Sequence, residues 1–361
     1  MNPPFGDPST ESKKYFKNNY PNAADNLYVG FYIRAIEMAP RGFVGAITSR
    51  TFITYRDFEG FRDSFLISKD HLIALCDLGW GVLDDAQVET AAMVLGGAEL
   101  KRELLGPNFR LLDTPLDKKE SALLTDVKQL CSVSTYYVSR SLISGVPGKP
   151  LCYWSGKSFL ELINESEPIY PDYAYAGLGA SPHAFFFRLK WEVSGSALGK
   201  RFQPISRGGK FSPFYRDNYL CIDWERNGAA VKAYICEKYP YLKGNYAWKI
   251  QDEDKYGLCG ITWGKRNERF NCQILPKGYI FTDEGQGLIP SEESIWFWLA
   301  YLNSSVIGYF LSLTSGLQKH YIYIRDIPFF NISRSVKADL ERESKRIVEI
   351  RLQFERINEI S

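Results

Sequence analysis

The sequence predicts an α/β chain: the C-terminal half of a doubly wound, Rossmann-like sheet, followed by a mixed α+β region. Three observations carry this. Phe43-Val44-Gly45-Ala46-Ile47-Thr48 is an almost wholly apolar run, the pattern of a strand buried on both faces. It lies between two segments of helical period, Asn26 to Ala39 and Tyr55 to Leu66, the alternation that builds such sheets. From Phe185 to Phe330 the pattern changes to short apolar runs between glycine turns, with a helical period near Glu293 to Leu313.

Taken in order, residues 6 to 25 are polar and read as a mobile loop. In the first helix Leu27, Phe31, Ile33, Ile36 and Met38 supply the apolar face, and Pro40 with Gly42 stops it. After the strand and Ser49-Arg50-Thr51-Phe52, a second helix carries Phe58, Phe61, Phe65 and Leu66 on one side. His71 to Leu78 reads as the next strand, and Thr90 to Leu95, ended by Gly96-Gly97, as the last. Trp80 lies in the loop between them, packing under the sheet or closing a pocket, with packing the simpler role. The stretch 98–150 is charged and reads as a connecting segment, ending in the turn Val146-Pro147-Gly148-Lys149-Pro150. A second domain is expected over 151–332, and 333–361 reads as a C-terminal amphipathic helix with Leu340, Ile347, Ile350, Phe354 and Ile357 on its apolar side.

Composition narrows the function. The formal net charge of +2 confines any nucleic-acid surface to a local patch. Seven cysteines without a C-x-x-C pair, and three scattered histidines, argue against a zinc site or a disulfide framework. Free thiols suit a reducing cytoplasm. The longest apolar candidate, near Ile295 to Leu313, is broken by Asn303-Ser304-Ser305, so no membrane span is expected.

The chemistry-bearing stretch is Asn2-Pro3-Pro4-Phe5. A conjugated exocyclic amine is a poor nucleophile, and its hydrogens need acceptors as charge develops. An Asn side-chain oxygen and the carbonyl of the first proline can accept them. The prolines fix the turn, and the ring can stack on a base taken out of its helix. Amino-methyltransferases use this tetrapeptide for that purpose. The same residues also make an ordinary turn. Such a turn belongs at the carboxyl end of a strand, and here only Met1 precedes it, so the expectation is a chain that begins inside its domain.

A second patch lies between Phe185 and Arg216. Arg188, Lys190, Lys200, Arg201, Arg207, Lys210 and Arg216 stand against Glu192 alone, interleaved with aromatic residues such as Phe187, Trp191, Phe202 and Phe211. That composition suits phosphate and base contacts, or equally a solvated face of a β-rich domain.

Here a resemblance becomes specific. Asn-Pro-Pro-Phe, the run Gly42-Phe43-Val44-Gly45-Ala46-Ile47-Thr48-Ser49-Arg50-Thr51-Phe52 and the run Val88 to Leu95 resemble the catalytic domain of adenine-specific DNA methyltransferases. The likeness is to the PglX methyltransferases of BREX phage-defence systems and to type IIG restriction-methylation enzymes. Downstream, Arg207 to Phe211, Asn218-Tyr219-Leu220, Asp223 to Gly228, Gly260 to Trp263, Leu275 to Phe281 and Tyr301 to Ile307 are similar to the target-recognition region of those enzymes. The resemblance implies methyl transfer from S-adenosylmethionine to the adenine amine of double-stranded DNA, in restriction-modification or phage defence, with defence-system proteins as possible partners. It implies a partial methyltransferase domain over 1–97 and a target-recognition domain over 151–332. Asn2, Pro3, Pro4 and Phe5 become the catalytic turn, with the donor-binding glycine loop expected upstream of Met1 and no metal. Arg50, Trp80, Arg207, Lys210, Arg216 and Trp263 become the candidate DNA contacts. The alternatives are a non-catalytic DNA-binding fragment, or a protein or RNA methyltransferase using the same turn. Pro171-Asp172 and Glu253-Asp254-Lys255 are weak candidates for pieces of a nuclease site.

Overall fold

The computed structural model describes residues 1–4, 6, 8–21, 26–83, 87–97, 102–169, 174–179 and 183–358. The chain divides into two units, Met1–Ser166 and Glu167–Ser361.

The first unit is built on a five-stranded sheet of β1 (Phe43–Ser49), β2 (Leu72–Gly79), β3 (Thr90–Gly96), β4 (Leu104–Arg110) and β5 (Thr135–Ser139), in the order β1-β3-β2-β4-β5. β3 pairs antiparallel with both β1 and β2, β2 and β4 are parallel, and β5 is antiparallel to β4. Hence β1, β2 and β4 run one way and present their carboxyl ends along one edge. The sheet is mixed rather than the largely parallel one expected, because β3 returns between β1 and β2 instead of extending the sheet.

Met1 adds to the free side of β1. Its amino group donates to the Gly45 carbonyl at 2.5 Å, and Ile47 N donates to the Met1 carbonyl at 3.2 Å. This is the slanted pattern of a parallel pair, so Asn2 and Pro3 leave toward the carboxyl end of β1.

Several expectations are corrected. Residues 10–19, read as loop, form α1 (Thr10–Asn19), capped by Ser9, whose Oγ accepts from Ser12 N at 3.2 Å. Phe16 of α1 lies over Gly30 of α2 (Leu27–Met38), where an added Cβ would come within 2.4 Å of the ring. The second helix is broken into a 3-10 turn at Arg56–Phe58, a short α segment and a π-helical turn at Arg62–Ile67. β3 is not the last strand: the segment 98–150 supplies β4, β5 and α3 (Leu116–Gln129). Nor is the turn at 146–150 a boundary. The fully buried Arg62 donates to the Gly148 and Lys149 carbonyls as well as to those of Phe52 and Tyr55, clamping that turn into the first unit.

The core of this unit is aromatic. Tyr28 stacks on Phe58 and Tyr32 on Phe61, with ring centroids 5.6 and 6.1 Å apart. Their hydroxyls reach Thr51 and Thr48 at 3.1 Å, so each buried phenol is satisfied at the end of β1.

The second unit contains two four-stranded sheets. β8 (Phe187–Leu189), β9 (Phe202–Ser206), β10 (Leu220–Asp223) and β13 (Ile280–Phe281) form one, in the order β13-β9-β10-β8; β6 (Glu167–Pro168) pairs separately with β15 (Pro328–Phe329). β7 (Ala174–Tyr175), β11 (Gly260–Gly264), β12 (Cys272–Leu275) and β14 (Gly285–Leu288) form the other, in the order β12-β11-β14-β7. Helix Ile295–Leu302 packs on β11 and β12. The single helix expected to Leu313 is broken by Asn303-Ser304, and Ser304 caps Ser305–Thr314. Asn303 is a structural clamp: its Oδ1 accepts from Cys272 N at 3.0 Å and its Nδ2 donates to the Cys272 and Leu299 carbonyls, each at 2.9 Å. The terminal helix, Arg334–Asn358, is tied back where Ser344 Oγ donates to the Trp296 carbonyl at 2.6 Å.

Candidate catalytic turn and nucleic-acid interface

In the first unit Asn2 and Pro4 are exposed and Pro3 is buried, so the turn is anchored by one proline while the Asn2 side chain makes no hydrogen bond among the described residues. Gly6 ties the turn to the start of α2, its carbonyl accepting from Leu27 N at 3.1 Å. Phe5, expected to stack on a base, lies outside the described residues.

The same sheet edge carries a buried charge network. Arg50 makes a two-pronged pair with Asp77 at 2.7 and 2.8 Å and reaches Glu89 at 3.3 Å. Tyr153 donates its hydroxyl to Asp77 at 2.8 Å. Asp77 has no solvent exposure and the Arg50 side chain only 19%. Arg50, expected as a DNA contact, is therefore an internal lock joining the ends of β1 and β2, because its donors are already spent on carboxylates. Trp80, for which packing was the simpler role, is instead 61% exposed, and its ring is available for stacking.

A second buried anion, Asp70, is held by Arg102 at 2.9 Å and Arg140 at 2.5 Å. Burial alone would raise its pKa, but hydrogen bonds from Arg140 and Arg102 outweigh it and hold the carboxyl below the usual range.

In the second unit the basic loop Arg207-Gly208-Gly209-Lys210 forms a ridge between two open grooves of about 480 and 500 Å³. The loop is pressed onto the turn before β14: a Cβ at Gly208, whose φ is +52°, would meet the Glu284 carbonyl at 2.4 Å. Arg207 donates to Glu284 at 2.5 Å and is fixed by it. Lys210 is exposed and has no acidic partner among the described residues. Arg216 is half-buried, and burial pulls its guanidinium below the ordinary arginine value. Lys265 and Arg266 line the far groove, where Lys265 pairs with Asp283 at 2.8 Å.

Trp263 is a correction among the candidate DNA contacts. It is fully buried in β11 and donates its indole N–H to the Lys319 carbonyl at 2.8 Å, so no base can reach its face. Sequence reasoning missed Lys319, a buried lysine on a separate cavity of about 540 Å³ with Arg269, Phe211 and Tyr309. Burial lowers its ammonium to about 8. No local pattern in the sequence marks it. Of the nuclease candidates, Glu253 pairs with Lys232 and Asp254 with Lys255, while Pro171-Asp172 lie outside the described residues. Among the described residues there is no cluster of His, Cys, Asp and Glu that could hold a metal ion, and no helix long and apolar enough to cross a membrane.

The turn, β1 and β2 lie in a segment that matches a known family. Residues 1–81 match the Eco57I restriction-modification methylase family. The chain is also similar to Adenine-specific methyltransferase PglX of Lacticaseibacillus casei (strain Zhang), with 25% identity over 338 residues. That alignment takes in 87% of this chain and spans 28% of the relative's length. The type IIL restriction-modification enzyme MmeI, solved in complex with DNA, superposes on 98% of this chain and 49% of its own with a TM-score of 0.63 at 10% identity. A nuclease-deletion mutant of the type ISP enzyme LlaGI, solved with a DNA substrate mimic, superposes on 97% of this chain and 34% of its own at a TM-score of 0.57 and 10% identity. At those identities the structural likeness establishes the fold: a mixed α/β chain shared with restriction-modification enzymes. The Eco57I-like segment ends within the loop after β2, so it contains the Asn-Pro-Pro turn, Arg50 and Asp77 but neither β3 nor the basic loop of the second unit.

Proposed function

We propose that this chain carries the catalytic turn and the DNA-recognition region of an adenine-specific DNA methyltransferase of restriction-modification or phage-defence type. The observation that carries the reading is the parallel seating of Met1 on β1, which leaves Asn2 exposed at the carboxyl edge of the sheet within the family-matched segment.

In this reading the Asn2 side-chain oxygen and the Pro3 carbonyl accept the two hydrogens of a flipped adenine amine. They hold it in the pyramidal geometry in which its lone pair faces an electrophile, and they offset the charge that builds on nitrogen. Phe5 and the exposed Trp80 are the rings assigned to the extruded base. Extrusion costs a few kcal/mol, which contacts of the basic loop in the second unit to DNA phosphates offset.

S-adenosylmethionine is the methyl donor the family implies, and when bound it supplies an electrophilic methyl on a sulfonium. The described residues of the first unit do not make its site by themselves. Asp77 is buried and taken up by Arg50 and Tyr153, and Glu89 is paired with Arg50, so neither carboxylate is free for the donor's hydroxyls or ammonium. That observation favours a second reading, in which the chain alone binds DNA and does no chemistry.

Labelled methyl donor offered to the chain with DNA, RNA and protein side by side tests both, with the chain alone and joined to a donor-binding segment from a PglX-like protein. Label in adenine of DNA only with the joined form supports the first reading for the joined protein and the second for the isolated chain. Label in RNA or protein instead refutes the assignment.

A further inference from the structure

The groove on the Arg216 side of the basic ridge holds an unusual side chain. Its volume is about 500 Å³ and it is lined by Arg207, Gly209, Lys210, Arg216, Tyr219 and Glu284, with Asp217 at its margin. Among the described residues the Arg216 guanidinium makes no hydrogen bond and no ion pair, and its Nη2 is closed off from solvent with no acceptor. Arg50, Arg62 and Arg102, by contrast, spend donors on carboxylates or carbonyls, and Arg140, which also has buried nitrogens without a hydrogen bond, lies against the Asp70 carboxylate.

The backbone is built to admit it. A Cβ at Gly209 would stand 2.6 Å from Arg216 Nη1 and 3.1 Å from its Cζ. A side chain at this position would push the guanidinium aside. A guanidinium with one donor nitrogen shut off from water and no protein acceptor is costly to keep in the free chain. It is repaid by a ligand that brings two acceptors in one plane.

Two ligands of that shape exist in DNA: a phosphate and the O6/N7 edge of guanine. Arg207, Lys210 and Arg216 line the groove with Glu284 and Asp217, and Glu284 is already engaged by Arg207. The carboxylate without an ion-pair partner among the described residues is therefore that of the exposed Asp217, which an entering phosphate meets and which a neutral base edge tolerates. The exposed Lys210 at the ridge is the residue suited to phosphate. We propose that Arg216 is a specificity-determining residue that reads one guanine of the target sequence in the major groove, with Lys210 supplying sequence-independent affinity. The proposal rests on the DNA reading above.

The test is selection from a pool of randomised duplexes with this chain, followed by measured affinities for the selected sites. The wild-type chain is expected to enrich a motif with a fixed guanine. Arg216→Ala is expected to lose preference at that one position by about tenfold or more, leaving the other positions of the motif in place. Lys210→Ala is expected to weaken all duplexes alike and to lower the salt slope by about one. Gly209→Ala and Arg216→Lys provide variants that keep the arginine but displace it, or keep the charge but lose the fork. Both are expected to reproduce the single-position loss, and they carry the test should the alanine variant fail to fold. The proposal is overturned if these variants retain the guanine, if they weaken all sequences uniformly, or if the wild-type motif contains no fixed guanine. Failure of the wild-type chain to bind any duplex is a different result, and it sinks the DNA reading itself.

Discussion

Replacing Asp77 by alanine asks whether Arg50 belongs to the scaffold or to a DNA surface. Asp77 is fully buried, accepts two hydrogen bonds from Arg50 at 2.7 and 2.8 Å, and accepts one from Tyr153 at 2.8 Å. Removing one member of a buried ion pair costs about 3–5 kcal/mol, since the partner is left charged and uncompensated. The Tyr153 hydroxyl is orphaned as well, at about 1–3 kcal/mol. These costs overlap, and Glu89 still reaches Arg50 at 3.3 Å, so the lower part of the range applies. A net loss of about 3 kcal/mol is expected, which lowers the midpoint of a unit this size by about 6–12 °C. Urea unfolding followed by circular dichroism measures it. The paired replacement Arg50→Met with Asp77→Leu is expected to recover part of the loss, because apolar groups of similar volume leave no charge behind. A loss below about 1 kcal/mol for Asp77→Ala, the level of a surface pair, would refute the lock and return Arg50 to the candidate DNA contacts.

Asp70 gives a pH prediction. Its folded carboxyl is held below the ordinary value, so its contribution is complete above about pH 4 and is lost as pH falls further through the depressed folded value. Asp70→Asn should destabilise the chain at neutral pH and flatten the acid limb of its stability curve; an unchanged acid limb contradicts the Arg102–Asp70–Arg140 assignment. Lys319 should titrate near its lowered value of about 8 when followed by carbon NMR of a methylated side chain, and a normal lysine value would show that it is solvated. Because the unfolded chain then binds the extra proton, wild type should gain stability relative to Lys319→Met as pH rises from about 8 to 10.

Much of the first unit was legible because its signals are local. The helical period at 27–38 corresponds to α2, and the unbroken apolar run at 43–48 gives β1, though as the end strand of the sheet with Phe43 74% exposed rather than a strand buried on both faces. The capped helix at Thr10–Asn19 was not read, since its apolar residues are few and its evidence is the Ser9 cap and the Phe16 contact with Gly30. β4 and β5 hide in a charged stretch because neither is an unbroken apolar run. Side-chain roles were the least legible. Arg50 and Trp263 carry the residue types of a nucleic-acid contact, yet Asp77 and the Lys319 carbonyl, distant in sequence, engage them internally. Trp80 went the other way, from a core expectation to an exposed ring.

The account as a whole depends on the turn beside β1 holding an adenine amine. Methylation of duplex DNA by the chain joined to a donor-binding segment, with N6-methyladenine quantified by mass spectrometry for wild type and Asn2→Ala, tests it most directly. The account predicts a fall of about 10²–10³ in turnover, the cost of removing one preorganised acceptor of developing charge, with DNA affinity within about twofold. Equal turnover in the two proteins would contradict it.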